Sequence, residues 1–450
     1  MTDYMQLAKD VVEKTAAFGV DAEVFISSET ETEIKVDRGE VERLTQASSF
    51  GLGVRAIKDG RTGYAYTSDF SDEGIDSVVK SAVELSEVAT QDEYRTLPET
   101  QSISDEDLKI YDPDLENVPT EKKVAFIKAV EKAALDYDER IIMTNMCSYF
   151  DGIVHVYLAN SNGFAGSYSR TVAGAFLFGL AKDENGMRNA MDLDMSNFFK
   201  DLNAEKIGRG AGKRAVDLLS GKTVETQTCT VVFDPLVGSQ IMASLAQALT
   251  AQAMQRERSF LINKMGQDVA SDKVTLLDNG RMPGGFASAP FDGEGVPTSA
   301  TRLIDEGVLQ NVIYDSYTAG RDGVQSTGNA GRNGHRSMPG LAPTNFYMQP
   351  GQVTQEELIA GVEKGLYVTD IMTVGGINPV NGDCSMGANG IWIEDGKLTH
   401  SINGVTVATT LSDLLMNVSE VANDLRVVPF FGAIGTPTIR VDNVTVAGEN

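Results

Sequence analysis

Thr228-Cys-Thr-Val-Val-Phe-Asp-Pro235 opens a stretch, residues 228–264, that carries no charge between Asp234 and Arg256. Its β-branched and aromatic run at 230–233 predicts a buried strand, and Pro235 stands where a helix takes its first residue. Ile241, Leu245, Ala248, Leu249 and Met254 recur at helical spacing, so the strand should feed a helix with an apolar face. Gln240, Ser244, Gln247 and Gln255 fall on a second stripe, polar but uncharged. Seven Ser, Thr and Gln side chains between Pro235 and Arg256 would each need a partner in lipid. The expectation is therefore a core helix lining a wet space, not a membrane span.

Working outward, 450 residues suggest two or three domains, and the 42% apolar fraction is that of a soluble globular chain. The first ten residues hold no apolar run, so no leader is expected and the cytoplasm is the expected compartment. Cys147, Cys229 and Cys384 are odd in number and widely spaced, which suits reduced thiols rather than a disulfide framework. The formal charge is −26, and residues 1–120 hold 27 acidic against 11 basic side chains. Such a surface repels phosphate backbones, so direct nucleic-acid binding is not expected.

Residues 2–18 read as an amphipathic helix with Leu7, Val11, Thr15 and Phe18 on one face and Gly19 as its stop. Short strands follow at 22–27, 33–36, 40–45, 51–57 and 63–67, a meander of about five. Ser71 then caps a helix whose core face is Ile75, Val78, Val79, Ala82, Val83 and Ala89. The acidic, Pro-containing segment 91–119 reads as a linker or a surface-hugging connection. Thr120 opens a helix with Val124, Ile127, Val130 and Ala134 inward. Strands at 143–149, 153–159 and 171–181 follow, with turns at Asp151-Gly152 and Asn160-Ser-Asn-Gly163, and a helix at 202–219 ends at Ser220-Gly221. Helix, meander, helix thus occurs twice.

Beyond residue 259, strands are expected at 273–277, 309–314, 391–394, 398–402 and 438–446, and helices at 354–365 and 411–424. The fold class is α+β: a module at 1–90, an acidic linker at 91–119, a second module at 120–222 and a C-terminal β-rich domain at 223–450 with a long buried helix.

Candidate chemistry is sparse. No phosphate-binding loop is present, and Gly328-Asn-Ala-Gly-Arg-Asn-Gly334 neither follows a clear strand nor opens a helix. Ser385 lies in no nucleophile elbow. His155 sits within a predicted strand. His335, Cys384 and His400 show no ligand spacing such as HxxxH or CxxC, so no metal or cofactor is expected in this chain. The C-terminal glycine-rich loops are rich in amides, which can hold an extended peptide backbone. Candidate peptide-binding residues are Gln240, Ser244, Gln247, Arg332, Asn333, Asn345, Asn378 and Asn389. Each Asn taken singly is equally explained as an αL turn residue.

The order of residues along the chain resembles the TldD/PmbA family, long called modulators of DNA gyrase and understood as components of a two-subunit metalloprotease. The strings that carry the resemblance are Gly51-Leu-Gly-Val-Arg55, Asp59-Gly-Arg-Thr-Gly-Tyr-Ala65, Ser326-Thr-Gly-Asn329, Pro343-Thr-Asn345, Gly365-Leu-Tyr-Val-Thr369, Gly382-Asp-Cys-Ser385 and Gly387-Ala-Asn-Gly-Ile-Trp-Ile-Glu-Asp-Gly396. In the TldD-like branch the helix after the 230–233 strand carries HExxH for zinc and a general base, with a further Cys ligand from the C-terminal domain. Those helix positions here resemble Ala243, Ser244 and Gln247, none of them suited to catalytic zinc. Cys384 falls in the Gly-Asp-aromatic-Ser string of the other branch, PmbA or TldE, with Cys in the aromatic slot. The resemblance implies a non-catalytic subunit that pairs with a zinc-bearing TldD-like partner and handles unfolded peptide, with a homodimer possible in isolation. Two other readings stay open: an autonomous hydrolase using Cys384 or a His335/His400 metal site, and an interaction protein acting on gyrase.

Overall fold

The computed structural model describes residues 3–372, 376–429 and 432–448. Helix α1 (Tyr4–Ala16) starts on Asp3, whose carboxylate accepts from the Gln6 amide at 3.0 Å. It buries Ala8, Val11, Val12 and Thr15, whereas Phe18, expected on that face, lies beyond the last turn and is exposed. The meander that follows has three long strands rather than five short ones: β1 (Asp21–Asp37), β2 (Glu40–Lys58) and β3 (Arg61–Thr67). The polar runs that read as gaps are paired too, since β1 and β2 stay in register from Asp21↔Ile57 out to Lys35↔Arg43. Ser71 caps α2 (Asp72–Val88), accepting from the Gly74 amide at 3.1 Å, and Asp72 and Glu73 favour the positive end of the helix.

The acidic segment 91–119 hugs the surface as a strap, pinned by buried Leu97, Leu108, Ile110 and Leu115. The carbonyls of Ile110 and Leu108 accept from the amides of Thr171 and Gly284 at 2.9 and 2.7 Å. Next come α3 (Thr120–Leu135), β4 (Ile141–Asn160), β5 (Ala165–Asp183), β6 (Gly186–Ser196) and α4 (Ala204–Asp217). Asp151 and Gly152, expected as a turn, lie inside β4 opposite Thr32 and Glu31. A buried Asp is tolerated there because Lys123 of α3 pairs with it at 2.5 Å and the Tyr149 hydroxyl donates to it at 2.7 Å. Strand β6 has no counterpart among the expected strands; its Met, Asn and Asp residues give little β signal.

These strands form one sheet, in the order β3-β2-β1-β4-β5-β6, so the two helix–meander–helix units share a continuous ladder through β1 and β4. Even-numbered residues of β1 face the helices: Val24 and Ile26 pack under α1 and α2, Ile34 and Val36 under α3 and α4. Odd-numbered residues face the rest of the molecule, where Phe25 packs on Phe291 and the Ser27 hydroxyl meets His335 Nδ1 at 3.1 Å.

The remaining chain begins with β7 (Gln227–Phe233), α5 (Pro235–Ala248) and α6 (Ala251–Gln255). The single helix expected past Pro235 therefore breaks at Leu249–Thr250, and Gln255 leaves the stripe of Gln240, Ser244 and Gln247. Strands β8 (Leu276–Asn279), β9 (Ala300–Asp305) and β10 (Val308–Leu309) precede helix α7 (Ser316–Asp322). The hairpin β11 (Ala330–Gly331) and β12 (Gly340–Leu341) leads into β13 (Asn345–Met348), α8 (Gln355–Ala360) and β14 (Lys364–Ile371). The chain closes with β15 (Asp383–Glu394), β16 (Lys397–Thr410), α9 (Leu411–Met416), β17 (Val418–Val421), β18 (Arg426–Val428), β19 (Ala433–Thr436) and β20 (Ile439–Ala447). Both late helices are shorter than expected, because β14 takes over at Lys364 and β17 at Val418. The strand expected at 309–314 is ordered as strand only at its start, and the one expected at 273–277 is β8, shifted toward the C-terminus.

One sheet runs β10-β9-β8-β13-β19-β18; the other runs β16-β15-β14-β7-β20-β17, and an added β16–β20 pairing closes it as a barrel. A single core cluster joins them, with Ile241 and Leu245 of α5 among Val231, Phe346, Met386 and Ile434. Among the described residues no helix is long and apolar enough to cross a membrane.

A chain of buried ions docks the N-terminal sheet on the C-terminal part. Arg332 pairs with Glu23 of β1, Glu23 with Arg55 of β2 at 2.7 Å, and Arg55 with Glu294 at 2.9 Å. Burial works against the Arg55 charge, yet Glu23 and Glu294 together raise its pKa above that of an ordinary arginine. Arg55→Met would leave two buried carboxylates without their shared partner, and is expected to cost about 3–5 kcal/mol of unfolding free energy by denaturant titration. A loss under about 1 kcal/mol, the scale of an exposed pair, would contradict this account.

Candidate functional site

The site grows from the start of α5. Asp234 caps the helix by accepting from the Leu236 amide at 2.9 Å. Arg214 of α4 grips the same carboxylate through two bonds of 2.8 and 2.7 Å, and the Tyr367 hydroxyl donates to it at 2.8 Å. The helix is thus fixed in direction from both flanking elements. Most of it is buried, Ala243 included, but Gln247 is exposed, and these two residues, one turn apart, line a cleft of about 430 Å³ with Leu341, Pro343 and the basic Arg256 and Arg258. Ser244 is buried, and the Gln240 amide turns back to the Leu236 carbonyl at 3.4 Å. Asn378 braces the opposite wall, its side-chain oxygen accepting from the Val380 amide at 2.9 Å.

A second cleft of about 490 Å³ lies between the N-terminal sheet and the C-terminal part. Phe25, Glu29 and Arg170 line one side; Asp292 and the glycine-rich run 328–334 line the other. Pro343 borders both clefts, so the two adjoin. Arg332 lies in this wall, with its guanidinium fully engaged. Its Nε donates to the Gly293 carbonyl at 2.6 Å, one Nη to the Ser337 carbonyl at 3.2 Å and the other to Glu23, above the Phe25 ring. Asn333 is exposed at the rim.

Two other asparagines brace backbone. Asn345 is fully buried: its oxygen accepts from the Ala287 amide at 3.0 Å and its nitrogen donates to the Asn279 carbonyl at 2.7 Å. Asn389 donates to Asp370 at 2.8 Å and accepts from the Gly404 amide at 3.0 Å. Of the eight candidates, Gln247 reaches the first cleft, Arg332 and Asn333 reach the second, and Asn345 borders a smaller cavity beside β6.

Asp292 was not singled out from the sequence. Its carboxylate accepts from the amides of Glu294, Val296 and Ala330 at 2.9, 3.0 and 2.9 Å. Burial, and then Glu294, push its pKa up to about 7. The Phe291-Asp-Gly-Glu-Gly295 turn was its only sequence signal.

The residues do not fit a catalytic metal. His335 packs against Gly51, where even a Cβ would fall 2.3 Å from its ring, and burial lowers its pKa. Cys384 on β15 pairs with Thr409 on the neighbouring strand β16, whereas His400 lies nine residues before Thr409, about 30 Å away at strand rise. His155 is a half-buried strand residue whose Nδ1 meets the Ser169 hydroxyl at 2.7 Å. Among the described residues no group of three His, Cys, Asp or Glu is placed to hold a metal ion. Cys384 is buried and its thiol is pushed up to about 12 by that burial, far from a nucleophilic thiolate.

Residues 226–448 match the PmbA/TldA metallopeptidase C-terminal domain, residues 113–219 the PmbA/TldA metallopeptidase central domain and residues 22–86 the PmbA/TldA metallopeptidase domain 1. The chain belongs to the PmbA/TldD family. It is similar to the metalloprotease PmbA homolog of Haemophilus influenzae, 29% identical over 455 residues that cover 99% of this chain and 96% of that one. A candidate modulator of DNA gyrase from Bacteroides thetaiotaomicron has the same fold at TM-score 0.89 and 29% identity, over 100% of both chains. TldE from Thermococcus kodakarensis shares the fold at TM-score 0.90 with 22% identity, over 98% of this chain and 99% of that one. Metalloprotease-like PmbA, TldD and TldE proteins, also named gyrase modulators, are thus the relatives of this chain.

The state of Cys384 can be checked directly. Iodoacetamide at pH 8 is expected to leave it unmodified in the native protein and to label it once denaturant is added, as mapped by peptide mass; fast native labelling would contradict its burial.

Proposed function

We propose that this chain is the metal-free subunit of a two-subunit peptidase, joining a TldD-like partner that carries zinc and supplying part of the wall of a shared chamber for unfolded peptide. The observation that carries the reading is the pair Ala243 and Gln247. They hold the positions that resemble the two histidines of HExxH, one turn apart on the cleft face of α5, and neither can bind zinc. Ser244, in place of the general base, is buried beside them and has no carboxylate to take a proton from water. The cleft persists around this helix face although its ligands are missing. Such a shape supports a role in holding peptide while hydrolysis proceeds at the partner's centre, and a chamber with one hydrolytic centre restricts cleavage to chains that can thread inside. The acidic charge of −26 favours protein and peptide partners over direct contact with nucleic acid.

The purified chain is expected to hold far less than one zinc per molecule and to leave an unfolded peptide uncut, with cleavage appearing on addition of a TldD-like subunit. Stoichiometric zinc together with activity in the isolated chain would overturn the reading. Gln247→Trp, which places a ring in the cleft from an exposed position, should lower partner-dependent cleavage on the order of tenfold, the factor that about 1.4 kcal/mol of lost contact produces, with complex formation on a sizing column unchanged.

A further inference from the structure

The interdomain cleft does not end at Glu29. The same face of the N-terminal sheet continues into a groove of about 430 Å³, and the two spaces share Glu29, Val154 and Arg170. Alternation along β1 brings Glu29, Glu31 and Glu33 to this face, and the register with β4 sets them opposite Val154, Gly152 and Phe150. Glu33 is paired with Lys35 at 3.3 Å, and Asp151 is neutralised from the helix side by Lys123. Glu29 and Glu31 form no ion pair among the described residues. They lie close enough to share a hydrogen bond, and burial followed by Glu31 raises the pKa of Glu29, with Arg170 acting the other way. Arg170 is the groove's cation, and one of its nitrogens donates to the Phe286 carbonyl at 3.3 Å.

The floor is aromatic. Phe150 lies over Gly174, where a Cβ would fall 2.6 Å from the ring, so glycine is needed for the ring to settle against the sheet. Phe176 lines the groove as well. Ser148 also lines it, 1% exposed, and its hydroxyl lies just beneath the groove surface without a hydrogen-bond partner, a buried polar group that calls for a donor. Two adjacent carboxylates, aromatic rings and an unsatisfied acceptor are together the chemistry that recognises an ammonium or guanidinium group. A cation seated there would also relieve the repulsion between Glu29 and Glu31.

We propose that this groove takes a lysine or arginine side chain of an extended peptide held in the adjoining interdomain cleft, so that the subunit selects cationic segments. The proposal rests on the peptide-handling reading above and adds the substrate class. The N-terminal third, with its excess of acidic side chains, enriches cationic segments around the entrance before they dock.

The test is fluorescence anisotropy with unstructured peptides of about ten residues, long enough to span about 33 Å when extended, identical except for a central Lys, Gln or Glu. Binding is measured to the full chain, alone and in complex with a TldD-like partner. The Lys peptide should bind about fivefold tighter than the Gln peptide, the scale of one partly exposed ion pair, and the Glu peptide more weakly than either. The preference should vanish in the Glu29→Gln, Glu31→Gln double variant, which keeps side-chain shape, and should shrink at high salt; an unchanged thermal midpoint would confirm that this variant is folded. Equal binding of Lys and Gln peptides, or a Lys preference that survives the double substitution, overturns the cation site and leaves the peptide-handling reading standing. No binding of any of the three peptides overturns both.

Discussion

The chain of charges Arg332–Glu23–Arg55–Glu294 is the constraint on which the rest of the molecule depends. Moving any one of these groups from water into the interior is costly, and the cost is offset only when its neighbours arrive with it. Glu23 and Arg55 come from the N-terminal sheet, Glu294 and Arg332 from the C-terminal part, so docking of the two parts is close to all or none. That fixes the width of the interdomain cleft, because Arg332 belongs both to the ion chain and to the cleft wall. Arg214 and Asp234 repeat the device at the other join, between α4 and the first residue of the α5 turn. Helix α5 is therefore aimed by charges at its cap, and its own body can be free of charge and packed in the core.

The same docking explains why the side chains at the clefts do what they do. Loops rich in Gly and Asn have few apolar atoms with which to hold their shape, so buried amides brace them through backbone hydrogen bonds, as Asn345 and Asn389 do. Arg332 spends its donors in the same way. What is left to face the two clefts is backbone, small side chains and a few groups such as Gln247 and Asn333, which suits holding the backbone of many sequences and leaves side-chain selection to the adjoining groove.

Legibility in the sequence followed the range of the interactions. Helix starts at Ser71 and Pro235 were readable because a cap and its apolar stripe lie within a few residues of each other, and the start at Thr120 because Pro119 precedes an apolar stripe. The long strands were not, because the polar runs of β1 and β2 lack an apolar alternation and continue as ladder by pairing with each other, as Glu29 does with Ser49, while β1 is covered on its other edge by β4, where Val154 lies opposite Glu29. Asp151-Gly152 carries turn chemistry, and only Lys123 and Tyr149 make it a strand. The break after Leu249 had no Gly or Pro to announce it; the Ala251 amide there donates to the carbonyl of Ile313, a contact that local spacing cannot encode. At the site, Ala243 and Gln247 were legible only as an absence, set against the resemblance, while Asp292 was missed because its three amide donors come from a turn and a distant strand.

An absence of ligands is weak evidence unless the surroundings show that the space is kept. A helix face that carries small or polar residues could close over; hydrophobic cores collapse into voids wherever neighbouring side chains can move. Here Ala243 is the small residue that leaves room, Gln247 is exposed and polar, and Pro343 and Leu341 stand back across about 430 Å³. The helix cannot shift to fill it, since its start is locked by Asp234, Arg214 and Tyr367, and its far end by Ile313, whose amide donates to the Leu249 carbonyl at 3.1 Å and whose carbonyl accepts from the Ala251 amide at 2.9 Å. A fold that holds a cleft open against the tendency to collapse, on a helix face that offers no metal ligand, is arranged for occupancy. That is why the Ala243 and Gln247 face of α5 favours the proposed binding role, and why the occupant of the cleft is the question its geometry poses.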